Sequence, residues 1–506
     1  MFNFFKGPRF AFPLVEKYFE NLILNFKVNK GKTISYGLLS LLSLYFLTPT
    51  IRSFVFKKQI SPGYTKRKDK CTTGLLNNSI YCFANSSLQA LSSLPYFTEY
   101  LNDFIKCVYE AAELMTLPNN FGVDSISFFK LTAPLHLAMA ELLVSLQEEI
   151  DSPRNASAIN LIRTLESVLH AKLGNGQQDA SELTQVVLDA LQEESDLFKS
   201  RCEKSRIYKE LPKLPFLGKE SNQFVCMKCH GTSFIRSQSI TVLTVQLPQQ
   251  YSITFQELLI NNQIDEVVDY SCLICQIRSI LQNEKYFNNF KYSIKEKDQL
   301  SSLGEIIENI SINEELPETL LNYVRSYNRG SCVTKNIKST IVKRTFITEY
   351  PKVLIVHLSR SVYNGMVPTR NPCRVGFKEH ITIQRQVISN NKWVAVEDKS
   401  YKLQSLIKHT GMHTNGHYQC YKRKPDFRKD TDTGMTITKT PMVNLQPKSN
   451  SNSESEKSRR PKLKKLKTVM RYPFWKLSDS SIQESSIDNV LDETKAAYML
   501  FYEKSR

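Results

Sequence analysis

Two cysteine pairs with the spacing Cys-x-x-Cys constrain the fold of this 506-residue chain more than any other feature. Cys226 and Cys229 form one pair, and Cys272 and Cys275 form the other. Four thiolates at this spacing suit a closed tetrahedral Zn²⁺ site, which is structural because no position stays open for a reacting molecule. His230 is adjacent to Cys229 and is interpreted as a bystander. We therefore predict that two distant segments are joined by a structural zinc ion.

A further cysteine, Cys82, lies just before a segment whose apolar spacing predicts a helix from residue 85 to residue 91. A thiol at the start of a helix faces the positive end of the helix dipole, which favours the reactive thiolate. Asn77 lies five residues upstream, where its side-chain amide could donate to a developing oxyanion. A lone cysteine of this kind can also be a buried structural residue. A reactive thiol implies a reducing compartment, which disfavours disulfides between the paired cysteines.

A histidine that could activate this thiol lies far downstream. Residues 401–418 predict a strand, a turn that contains glycines, and a second strand that carries His417. A cysteine nucleophile needs an imidazole that takes its proton and later protonates the leaving amine, and the two groups meet in space and not in sequence. Cys82 and His417 are therefore candidates for a nucleophile and its general base.

Together, the segments around Cys82 and His417 resemble the Cys box and His box of the ubiquitin-specific proteases, which are papain-like cysteine hydrolases. Further segments resemble motifs of the same family in the same order: residues 176–183, 349–360, 375–383 and 497–502. The second of these is a continuous apolar run typical of a buried strand. The resemblance extends over residues 74–502.

The resemblance implies an α+β fold at residues 72–505, with a thumb, a palm and zinc-ribbon fingers at about residues 215–280. It implies thiol-dependent hydrolysis of isopeptide and peptide bonds at the C-terminal glycine of ubiquitin, without a catalytic cofactor. Ubiquitin and ubiquitinated proteins are the implied partners, and Asp179 is implied to contact the basic tail of ubiquitin.

The third group of the catalytic triad has two candidates. The family places an aromatic residue four positions before an Asp or Asn. Counting from Phe474 places Ser478 at this position, with Asp479 as its neighbour, whereas counting from Trp475 places Asp479 there. We favour Ser478, because a subset of the family that includes its mitochondrial outer-membrane members also reads Ser-Asp. This group orients the imidazole, and a hydroxyl can serve, although it stabilises imidazolium less than a carboxylate does.

The loop before the nucleophile departs from the family pattern. Residues 79–81 read Ser-Ile-Tyr, where the family usually has Gly-Asn-Thr directly before the cysteine. The bulkier loop could change the oxyanion site. A catalytically weak ubiquitin-binding scaffold is therefore the alternative function.

The N-terminal region predicts a membrane anchor. Residues 34–51 contain no charged side chain and have about the length needed to cross a bilayer, between a basic, amphipathic segment at 1–33 and a basic linker at 52–71. The more basic flank faces the protease segment, which favours a cytosolic catalytic domain. The anchor is short and moderately apolar, and with the resemblance it predicts the mitochondrial outer membrane. The endoplasmic reticulum is the alternative.

The net charge of +18 would favour nucleic acid as a partner, but no basic motif interleaved with aromatic residues accompanies it. We therefore predict no nucleic-acid binding. Two polar segments, at about residues 276–338 and 426–469, are predicted to be insertions, and the second has the composition of a disordered segment.

Overall fold

The computed structural model describes residues 67–77, 81–116, 125–172, 178–207, 210–286, 292–363, 365–366, 368–390, 392–412, 416–432, 434–446 and 462–505. The predicted segments 1–33 and 34–51 and most of the linker 52–71 lie outside these residues. Within the described ranges, no single helix is long and apolar enough to span a membrane. One pair of helices bent by 120°, Ile126–Thr132 and Pro134–Gln147, meets the length and composition of a span.

The described α-helices are α1 (Cys82–Leu91), α2 (Pro95–Thr116), α3 (Ser125–Thr132), α4 (Pro134–Gln147), α5 (Ile159–Leu169), α6 (Ala180–Lys204), α7 (Phe255–Asn261), α8 (Leu273–Tyr286), α9 (Ile294–Ile306), α10 (Glu318–Ser326), α11 (Lys467–Arg471) and α12 (Ile487–Leu491).

The described strands are β1 (Thr73–Leu75), β2 (Arg154–Ala156), β3 (Gly218–Cys226), β4 (Arg236–Ile240), β5 (Val242–Gln246), β6 (Ser252–Thr254), β7 (Ile264–Tyr270), β8 (Asn328–Arg329), β9 (Cys332–Val333), β10 (Ser339–Glu349), β11 (Val353–Ser359), β12 (Ser361–Tyr363), β13 (Pro368–Arg370), β14 (Arg374–Gly376), β15 (His380–Ser389), β16 (Lys392–Gly411), β17 (Gly416–Arg423), β18 (Phe427–Asp430), β19 (Thr436–Thr438), β20 (Leu463–Lys465), β21 (Phe474–Ser478), β22 (Ser481–Ser485) and β23 (Ala497–Lys504).

Helices α1 to α6 form the first part of the fold, and α1 lies at its centre. Every residue of α1 is buried. Its serines satisfy their hydroxyls locally, since Ser86 Oγ and Ser87 Oγ donate to the carbonyl of Phe83 at 2.9 and 3.0 Å. Ser87 Oγ also donates to the Ala180 carbonyl at the start of α6, at 3.2 Å. The thiol at the start of α1 therefore lies on a rigid, fully packed element.

The second part is an eight-stranded sheet in the order β22-β21-β17-β16-β23-β11-β5, with β15 paired to β16. Strand β11 is the apolar run identified in the sequence, and four consecutive residues from Val353 to Val356 are buried. All neighbours in the sheet are antiparallel except β11 and β5. One face of the sheet packs against the helical part, and both contribute to a single hydrophobic core.

The third part is a four-stranded sheet in the order β4-β3-β10-β7, with helices α8 to α10 beside it. It has a separate core that contains three of the paired cysteines together with apolar side chains of all three helices. Most of the predicted insertion at 276–338 is therefore packed structure. Capping explains one of its helices, because the Ser293 hydroxyl and the Glu296 side chain form a reciprocal capping box at the start of α9.

The predicted disorder of residues 426–469 does not hold where the structure describes them. Strands β18, β19 and β20 form a small sheet, and α11 follows. The segment is attached to the helical part, because Asn102 Nδ2 donates to the Met442 carbonyl at 3.0 Å and the Val443 amide donates to Gln147 Oε1 at 2.9 Å. The amino-acid composition of residues 426–469 did not indicate these long-range contacts. Residues 447–461 lie outside the described residues.

Candidate active site and metal cluster

The thiol of Cys82 lies at the first residue of α1 and is 5% exposed. Helix α1 packs against β17, the strand that carries His417 at its second position. The side chain of Tyr418 lies in the same region. Burial raises the pKa of its phenol, and the proximity of Asp179 and of the Cys82 side chain raises it further. The fold thus brings the N-terminus of α1 and the start of β17 together.

The imidazole of His417 is held by a hydroxyl. Strand β21 pairs with β17 and ends at Ser478, whose Oγ lies 2.7 Å from His417 Nε2. The two residues are 61 positions apart in the chain. Of the two candidates from the sequence, Ser478 is the one that contacts the ring.

Asp479 points away from this ring and towards the loop before Cys82. Its backbone has φ of 51°, which turns the chain after the end of β21. Its two carboxylate oxygens accept hydrogen bonds from Asn77 Nδ2 at 3.0 Å and from Asn85 Nδ2 at 2.8 Å. Its carbonyl accepts from the Leu75 amide at 3.1 Å. Asp479 therefore links the two asparagines on either side of Cys82.

The amide of Asn77 is fixed at both of its ends. Its Oδ1 accepts from the Tyr81 backbone amide at 3.0 Å while its Nδ2 donates to Asp479. An amide nitrogen carries two hydrogens, so one donor of Asn77 remains for another acceptor. Of the three residues that depart from the family pattern, the structure describes Tyr81, and its backbone takes part in this arrangement.

Asp179 lies at the edge of a cavity of about 340 Å³ whose other lining residues include His357, Arg370, His409 and Tyr498. It is the N-cap of α6, accepting from the Ser181 amide at 2.7 Å, and it also accepts from the Tyr498 hydroxyl. Burial opposes its charge, but the hydrogen bonds from Tyr498 and Ser181 hold the pKa of the Asp179 carboxyl below its usual value. The cavity therefore keeps one ionised carboxylate.

The four paired cysteines form one cluster. The Sγ atoms of Cys226, Cys229, Cys272 and Cys275 all lie within 4.8 Å of one another. Cys226 Sγ is 3.6 Å from Cys275 Sγ, and Cys229 Sγ is 3.7 Å from Cys272 Sγ. A tetrahedral site with Zn–S bonds of about 2.3 Å has S···S edges of about 3.8 Å. The donor type and the spacing both fit a structural zinc ion.

Comparison with known proteins identifies the family to which this chain belongs. Residues 73–502 match the family model described as "Ubiquitin carboxyl-terminal hydrolase". The chain is similar to ubiquitin carboxyl-terminal hydrolase 16 of Saccharomyces cerevisiae, with 35% identity over 497 residues, covering 94% of this chain and 96% of the relative. It is also similar to ubiquitin carboxyl-terminal hydrolase 11 of Schizosaccharomyces pombe, with 23% identity over 453 residues and 88% of each chain covered.

The chain belongs to the ubiquitin carboxyl-terminal hydrolase family. It is a cysteine-type ubiquitin hydrolase of the ubiquitin-specific protease group, with a papain-like fold. Among solved structures it is similar to the SAGA Ubp8/Sgf11/Sus1/Sgf73 DUB module bound to ubiquitin aldehyde, with a TM-score of 0.49, 16% identity, and coverage of 92% of this chain and 76% of that chain.

Sequence reasoning missed two side chains of this hydrolase site. Asn85 lies one turn after Cys82, inside the predicted helix. Nothing in its sequence position indicated that its side chain donates to Asp479. Tyr498 lies in the predicted closing strand, but nothing in that apolar run indicated that its hydroxyl contacts Asp179. Simple alternation would place Tyr498 and Leu500 on the same face of the strand, whereas Tyr498 lies in the core shared with the helices and Leu500 lies in the other core of the sheet.

Proposed function

We propose that this hydrolase cleaves the bond after the last glycine of ubiquitin with Cys82 as the nucleophile and His417 as the general base and acid. The contact that carries the proposal is the hydrogen bond between His417 Nε2 and Ser478 Oγ. It occupies one ring nitrogen, so Nδ1 is the atom that takes the thiol proton and later returns it to the leaving amine. Water then releases ubiquitin from the thioester.

In the same proposal, Asn77 supplies a side-chain donor to the oxyanion, and Asp479 positions it. The Asn77 amide is already oriented by Asp479 and by the Tyr81 backbone, so it does not have to reorganise as charge develops. Donors fixed in advance are the most effective oxyanion stabilisers. Ser478 acts on His417 and Asp479 acts on Asn77, whereas the sequence offered both residues as candidates for orienting His417.

We propose that the 340 Å³ cavity receives the basic tail of ubiquitin. Asp179 is ionised and partly enclosed there, so an arginine of the tail would meet a charge that is weakly screened. Tyr498 holds the carboxylate in place. This assignment of Asp179 rests on the family resemblance together with its position in the cavity.

We further propose that the four-cysteine cluster holds zinc. Cys226, Cys229, Cys272 and Cys275 would be the ligands, and the ion would supply folding stability to the finger sheet without taking part in hydrolysis. Met227 anchors the first knuckle to β10, since its amide donates to the Thr340 carbonyl at 2.9 Å.

For location, we propose that residues 34–51 anchor the enzyme in the mitochondrial outer membrane with the catalytic domain in the cytosol. The uncharged run and its basic flanks support this. A fusion of residues 1–66 to a fluorescent protein is expected to mark mitochondria, and protease added to intact mitochondria should remove the catalytic domain of the full chain. A protected domain or an endoplasmic reticulum pattern would contradict the proposal.

The test of the catalytic roles uses ubiquitin that carries a C-terminal electrophile. The wild-type chain should form a covalent adduct on Cys82, identified by peptide mass spectrometry. Cys82→Ala should bind ubiquitin without an adduct, and His417→Ala should lose turnover while its melting temperature is retained. Binding without an adduct in the wild type would favour the scaffold function, and substantial turnover by either variant would refute the assignment.

A further inference from the structure

A second cavity, of about 780 Å³, lies at the far end of strand β17. His417 is at the start of that strand, whereas Lys422 and Arg423 line the cavity at its end. At about 3.3 Å per residue, His417 and Arg423 are separated by about 20 Å. The proposed catalytic mechanism uses none of the residues that line this cavity.

Positive charge is concentrated around one carboxylate in its wall. Glu379 Oε1 lies 2.8 Å from Arg423 Nη2, 3.5 Å from Lys402 Nζ and 3.9 Å from His380 Nε2. Burial lowers the pKa of Lys402, and repulsion from Arg423 and Lys465 lowers it further against the attraction of Glu379. A single carboxylate cannot neutralise Arg423, Lys402 and Lys465 together, so this wall keeps a net positive charge.

Lys422 adds a buried amine to the same lining. Its residue is 3% exposed, and its Nζ donates to the Leu146 carbonyl at 2.9 Å and to Gln89 Oε1 at 3.3 Å, both neutral acceptors. Among the ion pairs of the described residues, none involves Lys422. Burial lowers its pKa to about 7. Near neutral pH this amine is therefore only partly protonated, because a buried cation without a counter-ion is costly, and an anion in the cavity would stabilise its charged form.

The other carboxylates of the lining do not provide this counter-charge. Three of the four already have cations of their own at 2.6, 3.0 and 2.7 Å: Glu148 with Arg154, Glu149 with Lys68, and Asp426 with Arg428. Two of these cations, Arg154 and Arg428, lie outside the lining. The fourth carboxylate, Glu503, is buried and accepts a hydrogen bond from the Tyr96 amide at 2.8 Å. With Glu379 the lining has five acidic residues against eight lysines and arginines. The excess positive charge of the cavity therefore remains.

We propose that this cavity binds a small, multiply phosphorylated anion through Lys402, Lys465 and Lys422. The cations are spread around a space of ligand size, which matches an anion with several phosphate groups better than a single carboxylate. Phosphate oxygens accept several charge-assisted hydrogen bonds each. An inositol phosphate and the headgroup of a phosphoinositide share this chemistry.

Calorimetric titration of the full chain in non-ionic detergent with inositol hexakisphosphate tests the site. We expect saturable binding by the wild type and a loss of affinity of about tenfold for each amine removed in Lys402→Gln/Lys465→Gln. The matched control is Lys295→Gln/Lys335→Gln, which removes two exposed lysines of the finger region. Ubiquitin hydrolysis should be unchanged in both double variants, which shows that they are folded. Equal binding by the Lys402/Lys465 variant and the wild type would refute the proposal.

Lys422→Met tests the buried amine without introducing another charge. Inositol hexakisphosphate should raise the melting temperature of the wild type by more than that of the variant, because the variant has no ammonium group to pair. An equal rise in the two proteins would exclude Lys422 from the site and contradict the proposal.

Vesicles distinguish the two sources of the anion. Binding of the full chain to phosphatidylcholine vesicles is compared with and without phosphatidylinositol bisphosphate, so that any contribution of residues 34–51 is the same in both. A phosphoinositide-dependent increase that Lys402→Gln/Lys465→Gln abolishes would identify a lipid headgroup. Binding of inositol hexakisphosphate without this increase would identify a soluble anion. Absence of both, or an equal loss in the control variant, would overturn the proposal.

Discussion

Replacing Asp479 with alanine removes the acceptor of two hydrogen bonds, and we expect a larger fall in turnover than replacement of Ser478 causes. The Asp479 carboxylate holds Asn77 Nδ2 at 3.0 Å and Asn85 Nδ2 at 2.8 Å. Without it, Asn77 would lose the orientation in which we propose that it donates to the oxyanion. Ser478 makes one contact to His417, at 2.7 Å. When that contact is lost, the backbone of β17 still holds His417 in position.

The magnitudes follow from these contacts. Loss of one oxyanion donor lowers kcat by about 100- to 1,000-fold. Loss of a hydrogen bond between neutral groups costs about 0.5–1.5 kcal/mol, so Ser478→Ala should lower kcat by about tenfold at most. Asp479→Ala also places an alanine at φ of 51°, which costs stability by about 1–2 kcal/mol. Asp479→Asn avoids that strain, because asparagine tolerates this conformation, and still lacks one acceptor oxygen.

The assay is hydrolysis of a ubiquitin–fluorophore conjugate, with kcat and KM measured separately and Asp103→Ala, at an exposed helical site, as the matched control. Alkylation of Cys82 by iodoacetamide, which forms no oxyanion, should be similar in the wild type and in Asp479→Asn. In a double-mutant cycle, Asn77→Ala and Asp479→Ala should be far from additive, because they act on one donor. A greater loss in Ser478→Ala than in Asp479→Asn, or additive effects in the cycle, would refute the reasoning.

Three further outcomes are expected. Cys226→Ser should lower the zinc content and the melting temperature together, since a structural zinc site contributes folding free energy; elemental analysis that finds no zinc in the wild type would contradict this. Tyr498→Phe removes a hydrogen-bond donor that lowers the pKa of Asp179, so the carboxyl of the variant should become protonated at a higher pH. On acidification, the KM of the variant should therefore begin to rise at a higher pH than the KM of the wild type. Coincident KM–pH curves would contradict this prediction. Gly416→Ala should lower kcat by displacing His417, because the new Cβ would lie 2.6 Å from the Thr410 carbonyl oxygen; unchanged kinetics would exclude this clash.

The features that depend on local spacing could be predicted from the sequence. Cys82 opens a helix, the apolar run of β11 is a buried strand, and the two Cys-x-x-Cys pairs form one cluster. Each of these follows from helix signals, strand periodicity or ligand spacing within a short window. The order of the motifs was sufficient to identify the family and therefore the type of chemistry.

Contacts between side chains that are far apart in the chain could not be predicted in this way, because they depend on how the elements pack. Ser478 and Asp479 are neighbours in the chain, yet one contacts His417 and the other contacts Asn77, because β21 ends between them and the backbone turns at φ of 51°. Burial of Lys422 likewise depends on α1 and on the end of α4 packing over the end of β17. Residue type and periodicity specify the face on which a side chain lies, but the partner on that face is set by strand register and by loop closure across hundreds of residues, which no local pattern contains.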